Sequence, residues 1–109
     1  MEVRRSDLVT IALPGDYGKP RPALVVQSDA FSGLSSATIL RVTSEVHDFP
    51  MFRITVEPTK QNGLVRRSQV MIDKATTVPK AKIGQRIGRL EADKMRAVSA
   101  ALARFLNLA

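Results

Sequence analysis

The chain is organised by short stretches in which apolar and polar residues alternate, ending in a single change of period near Glu91. Residues 7–13 place Val9, Ile11 and Leu13 on one face and Leu8, Thr10 and Ala12 on the other, the pattern of a half-buried β-strand. Residues 21–27, 38–44, 52–57, 68–73 and 85–90 read the same way, with turn-forming residues between them. The Asn62-Gly63 pair is expected to make the tight reversal of a hairpin between the fourth and fifth strands. From Glu91 onward Met95, Val98, Leu102 and Phe105 recur at helical spacing, so the pattern predicts one amphipathic C-terminal helix. Glu91 and Asp93 suit the positive end of its dipole and Arg104 the negative end. Five to seven short strands and a terminal helix, with no alternating βαβ units, predict a mainly β fold with a C-terminal α-helix: a small, strongly curved antiparallel β-barrel.

At 109 residues the chain reads as one domain, residues 1–109, of a size for which a second copy would help cover the core, so a homodimer is expected. No apolar run is long enough to span a bilayer, and the first residues lack a signal-peptide pattern, which predicts a soluble, cytoplasmic protein. With no cysteine there is no disulfide and no thiolate chemistry. One histidine, and no His/Asp/Glu cluster at ligand spacing, argue against a metal site, and no cofactor is expected. Seventeen Lys and Arg against ten Asp and Glu give a net charge of +7. Such a surface attracts polyanions, so a nucleic acid or an acidic protein is the expected partner.

Within this frame, Lys19-Pro20-Arg21-Pro22 holds a guanidinium between two prolines at the mouth of an apolar strand, on a backbone stiffened towards extended geometry. The preceding residues 15–19, with Asp16, Tyr17 and Lys19, read as an exposed loop able to close over a ligand. Arg41 and Thr43 share one face at the end of the third strand, where a guanidinium and a hydroxyl side by side suit an anion. His47 lies in the mixed loop that follows.

These residues resemble the MazF/PemK (Kid) toxins of bacterial toxin–antitoxin pairs, which are ribosome-independent endoribonucleases. The likeness is carried by Arg5-Ser6-Asp7-Leu8-Val9, Arg21-Pro22-Ala23-Leu24-Val25-Val26, Thr43-Ser44, Asn62-Gly63-Leu64 followed by Ser68, and Lys82-Ile83-Gly84 leading into Arg86-Ile87-Gly88-Arg89-Leu90. The resemblance implies an SH3-like barrel, a symmetric homodimer, and cleavage of single-stranded RNA such as mRNA at short sequences without metal or cofactor. It also implies an acidic cognate antitoxin whose tail competes with RNA for one groove. By resemblance the catalytic residues are Arg21, Thr43 and Asp73. Substrate-contact candidates are Asp16, Tyr17 and Lys19 in the loop, Gln27 at the end of the second strand, Arg41 and Ser44 beside Thr43, and His47.

The chain departs from the family pattern at Ser6, where glycine is usual, at Met71, where some relatives carry arginine, and in Asp73-Lys74-Ala75-Thr76-Thr77, which lacks a familiar arginine. A CcdB-like gyrase poison of the same fold is the chief rival, but its activity depends on a tryptophan near the C-terminal end and this chain has none. A basic domain that binds RNA without cutting it is the other. Metal-free RNA cleavage uses the substrate's own 2′-hydroxyl, so the protein must remove that proton, stabilise a dianionic phosphorane and assist the leaving 5′-oxygen. Arginine is a poor base because its pKa exceeds about 12, which casts Arg21 as electrostatic stabiliser and leaves the base unassigned. Products would be a 2′,3′-cyclic phosphate and a 5′-hydroxyl.

Overall fold

The computed structural model describes residues 2–15 and 18–108. Six strands form one antiparallel sheet: β1 (Asp7–Ile11), β2 (Arg21–Val25), β3 (Ser36–Thr43), β4 (Arg53–Val56), β5 (Ser68–Pro79) and β6 (Ile83–Arg89), followed by helix α1 (Ala92–Phe105). Their order across the sheet is β4-β5-β3-β2-β1-β6. The hydrogen-bonded ladder therefore has two ends, β4 and β6, and does not close on itself. Five strands begin or end within a few residues of the predicted limits, whereas β5 continues to Pro79, well past Asp73. β3 and β5 pair along most of this length, with a register shift opposite Arg41, between Leu40↔Ala75 and Val42↔Val70. Such a bulge bends the strand and raises its twist.

Curvature gives the sheet two apolar clusters, one on each face. Leu8, Leu24, Leu40, Val42, Val70 and Ile72 pack with Met95, Val98 and Ala101 of α1. Val9, Ile11, Ala23, Val25, Ile39, Val78 and Ile83 form the second cluster, with Leu13 against it. The alternation in residues 7–13 is thus obeyed, but both faces are buried. The helix keeps Met95 and Val98 on the core as its spacing predicts, while Phe105 is 54% exposed and Ala101 takes the buried position a turn earlier. Leu106 and Leu108 are exposed as well. The last turn of the helix simply runs beyond the sheet it covers.

The tight reversal expected at Asn62-Gly63 does not exist. β4 and β5 do pair antiparallel, from Arg53↔Met71 to Val56↔Ser68, but residues 57–67 connect them as a long loop folded back across the molecule. Asn62 is fully buried. Its Oδ1 accepts from the N–H groups of Thr59 and Leu64, both at 3.0 Å, and its Nδ2 donates to the Glu57 carbonyl at 2.9 Å and to Glu91 Oε1 at 3.2 Å. Asparagine fits because it offers two acceptor and two donor positions on one short side chain. Gly63, at φ +71°, and Gly88 let this loop lie directly on β6: a Cβ at Gly63 would stand 1.9 Å from the Ile87 carbonyl oxygen. The Arg89 N–H donates to the Gln61 carbonyl at 2.9 Å, so the loop that follows one sheet edge reaches the other.

Ser6 has φ +80°, a left-handed conformation for which glycine is the usual residue. Neighbouring contacts hold it there: its N–H donates to the Val25 carbonyl and its carbonyl accepts from Leu90, both at 2.9 Å. Beside it, the carboxylate of Asp7 is buried and meets Arg86 at 3.1 Å and Arg89 at 3.3 Å. Arg5 reaches the Val26 carbonyl and Ser99 Oγ. The opening Arg-Ser-Asp motif therefore ties β1 to β6, β2 and α1.

Candidate active site

A groove of about 780 Å³ runs between the start of β2, the end of β3 and the loop 57–67. Its position follows from local sequence effects. Pro20 and Pro22 deliver Arg21 to the first position of β2, opposite Ile11, with its side chain exposed at the rim. The third strand carries Arg41 and Thr43 on one face, and the bulge opposite Arg41 brings Met71 and Lys74 of β5 to the same groove. The back-folded loop supplies Gly63, Leu64, Val65 and Arg66 as the facing wall.

The groove is cationic. Among its described lining residues Arg21, Arg41, Arg66 and Lys74 carry positive charge and Glu45 alone carries negative charge. The Arg21 guanidinium makes no hydrogen bond or ion pair with any described residue. A planar guanidinium fork of this kind suits a phosphate or a carboxylate. Thr43 is set differently: its Oγ1 accepts the Glu45 N–H at 3.0 Å, so the hydroxyl keeps its own proton to donate.

Of the remaining candidates, Arg41 and Ser44 line the groove with Arg21 and Thr43. Lys19 is exposed next to Pro20 but is outside the lining. Asp16 and Tyr17 lie outside the described residues. Gln27 stands apart from the groove and serves the fold: its Oε1 accepts from the Thr38 N–H and its Nε2 donates to the Phe31 carbonyl, both at 3.2 Å. Asp73 is outside the lining, with Oδ2 3.4 Å from the ammonium of Lys74 and a buried Oδ1 that has no hydrogen-bond partner among the described residues. His47 is beyond the end of the groove, 3.4 Å from Glu45 Oε1 and stacked on Phe49.

Sequence reasoning missed three contributors. Arg66 and Lys74 reach the groove only because of the back-folded loop and the bulge, and Glu45 reaches it directly after Ser44, its N–H held by Thr43. A usable signal was the separation of Val56 from Ser68, too long for a tight hairpin and containing the apolar pair Leu64-Val65 in a polar run. Gln69, 3% exposed, was also missed. Its Oε1 accepts from the His47 N–H at 3.0 Å, and its Nε2 donates to the His47 carbonyl at 2.8 Å and to Thr55 Oγ1 at 3.1 Å. It thereby clamps the segment that follows Thr43. Among the described residues no group of three His, Cys, Asp or Glu side chains is arranged to hold a metal, and no helix is long and apolar enough to cross a membrane.

Comparison with known proteins places this geometry. The family of PemK-like, MazF-like toxins of type II toxin–antitoxin systems matches residues 4–106. The chain belongs to this family. It is 44% identical over 108 residues to a probable endoribonuclease MazF of Mycolicibacterium smegmatis, covering 98% of this chain and 99% of that protein. Among solved structures, a mycobacterial endoribonuclease in complex with its cognate antitoxin superposes with a TM-score of 0.82 at 21% identity, covering 98% and 97% of the two chains. The Mycobacterium tuberculosis toxin MazF-mt6 gives 0.78 at 24% identity, covering 93% and 96%. At these identities the two structures establish the fold: six antiparallel strands and a C-terminal helix of the MazF type. Arg21, Arg41, Thr43 and Ser44 thus line one groove of a MazF-type toxin.

Proposed function

We propose that this chain is an endoribonuclease toxin that cuts single-stranded RNA, mRNA in particular, at short sequences and so inhibits translation and growth until a cognate antitoxin covers the groove. The observation that carries the reading is the pairing of an uncommitted Arg21 guanidinium with a Thr43 hydroxyl whose lone pair is already engaged, in a cationic groove. Family membership and 44% identity to a probable endoribonuclease MazF support it.

In this mechanism the RNA's 2′-hydroxyl attacks the adjacent phosphorus. Arg21 forks onto the phosphorane oxygens and gains most as negative charge develops there. Thr43 donates to one of the same oxygens. Glu45 is the carboxylate among the described lining residues and takes the 2′-hydroxyl proton. Arg41, Ser44 and Lys74 hold flanking phosphates, and Asp73, the third catalytic candidate by resemblance, stands 3.4 Å from the Lys74 ammonium. Asp16, Tyr17 and Lys19 are further contacts for the bound strand. The 5′-oxygen leaves and takes up a proton from water, giving a 2′,3′-cyclic phosphate and a 5′-hydroxyl without a metal or cofactor.

The matching assembly is a cytoplasmic homodimer of one toxin module, residues 1–109, bound by an acidic antitoxin whose tail and RNA exclude each other. We read the sheet as a partly open SH3-like barrel, supported by the loop that reaches from β4 to β6. Incubating the protein with a long RNA in excess EDTA, then mapping the ends, tests the reading. Discrete cuts with cyclic-phosphate termini are expected. Intact RNA, or cleavage that EDTA abolishes, would overturn it.

A further inference from the structure

One feature near the groove has no part in the phosphate chemistry. His47, Phe49 and Phe52 form a series of nearly parallel rings: His47 and Phe49 have centroids 5.7 Å apart at 29°, and Phe49 and Phe52 are 5.2 Å apart at 12°. Phe52 is half-buried against the main core cluster. Phe49 is 46% exposed and the His47 side chain 45% exposed. The series therefore leads from the core to the surface, and its outer rings lie open to water. No described residue of this chain covers the exposed ring faces, which present a flat π-surface.

The segment is also held rigidly. The buried Gln69 side chain takes the His47 N–H and donates to the His47 carbonyl, fixing both backbone groups of that residue. Gln69 is in turn the register partner of Thr43. Glu45, which lines the groove, stands 3.4 Å from the His47 ring. The rings are thus pinned at one end of the groove, in the segment that follows Ser44 and Glu45. An unpaired base has the matching chemistry, a flat π-face beside a phosphate, and a pre-ordered platform costs little conformational entropy to engage.

We propose that His47, backed by Phe49 and Phe52, is a stacking subsite for one unpaired base of the RNA flanking the phosphate held in the groove. The inference rests on the endoribonuclease reading and deepens it. Stacking is tolerant of base identity, so this subsite secures the strand and fixes its register more than it selects a base.

The test uses a single-stranded oligonucleotide made uncleavable by 2′-O-methylation and carrying 2-aminopurine at successive positions. With the wild-type protein, fluorescence at one position is expected to fall as the base stacks. His47→Ala should weaken binding by about tenfold and remove that quenching, as expected for a base losing its aromatic partner. His47→Phe, which keeps a ring, should restore both. Phe49→Leu keeps apolar volume but removes the backing ring, and should give a smaller loss at the same position. With cleavable RNA, the Phe49→Leu loss should fall chiefly in KM, whereas His47→Ala also removes the ring 3.4 Å from Glu45 and should lower kcat as well. Variants that melt like the wild type yet bind with unchanged affinity and quenching would overturn the subsite while wild-type cleavage stood. A wild-type protein that neither binds nor cuts RNA would overturn the endoribonuclease reading with it.

Discussion

The groove rim and the corner built around Asn62 use polar groups in opposite ways. At the corner every donor and acceptor of the Asn62 side chain is occupied, and the residue is fully buried. At the rim, Arg21 is exposed and its guanidinium is paired with no described residue. A satisfied buried network stabilises one arrangement of the backbone, while an exposed cation contributes little to stability and is available to an anion. Folding and chemistry should therefore be separable by mutation, although the two regions share the loop 57–67.

The largest expected effect comes from the rim. Arg21→Ala should lower the single-turnover cleavage rate by about a hundred- to a thousandfold, the usual cost of removing one donor aimed at developing charge. Thermal melting should stay within about 0.5 kcal/mol of wild type, because nothing folded depends on that side chain. Arg21→Lys should not restore the rate, since a point charge does not reproduce the two-pronged contact. An Arg21→Ala protein that cuts at the wild-type rate would remove Arg21 from the mechanism.

Asn62→Ala should do the reverse. It leaves the N–H of buried Leu64 without its partner, a buried orphan that costs about 1–3 kcal/mol, and the Thr59 N–H and Glu57 carbonyl of two exposed residues without theirs at a smaller cost each. Water entering the small space offsets part of this, so a net loss of about 3 kcal/mol is expected, visible as a fall in melting temperature of 10 °C or more. Measured well below the new midpoint, cleavage per folded molecule should fall less than in Arg21→Ala. A catalytic defect as large as that of Arg21→Ala would show that the corner and the rim are one functional unit.

Thr43 lies between the two cases, because its hydroxyl holds a structural contact with the Glu45 N–H and is proposed to donate to phosphate. Thr43→Ala removes the acceptor for the Glu45 N–H together with the donor to phosphate. The rate is expected to fall by about ten- to a hundredfold, below the Arg21 effect because a neutral donor stabilises less than a charged one. Thr43→Ser should recover most of the rate and Thr43→Val should not. Equal activity in the Ser and Val variants would assign the residue to shape alone.

The same contrast explains what could be read from the sequence. Strand periodicity located all six strands and the helix, because one residue in two or one in 3.6 must face a core. The rim was legible through Arg21 and Thr43, whose spacing and flanking prolines act locally. The corner was not. Asn62-Gly63 has the local signature of a tight turn, and only contact with Ile87 and Gly88, far along the chain, turns it into a buried clasp. Long-range packing overrode a short-range preference. Likewise Lys74 enters the groove through a bulge that no alternation pattern encodes. Ser6 runs the other way: the family's usual glycine marked a special backbone position, and φ is +80° there.

The smallest expected effect sharpens the comparison through pH. Glu91 caps the corner, accepting from the Thr59 hydroxyl at 2.6 Å and from Asn62 Nδ2 at 3.2 Å. Partial desolvation pushes its carboxyl up, but the hydrogen bonds from Thr59, its own backbone N–H and Asn62 together outweigh that, and it lies below its usual value of 4.5. A carboxyl held low in the folded state favours folding while it is ionised. That contribution is complete above about pH 4.5 and is lost as pH falls through the lowered folded value. Solvent around the carboxylate screens the effect, so it should be modest. Melting curves of wild type and Glu91→Gln taken from pH 7 down to 3 isolate it. The wild type should be the more stable at neutral pH, and the difference should shrink on acidification, whereas a difference independent of pH would mean that Glu91 holds the corner by shape and not by charge.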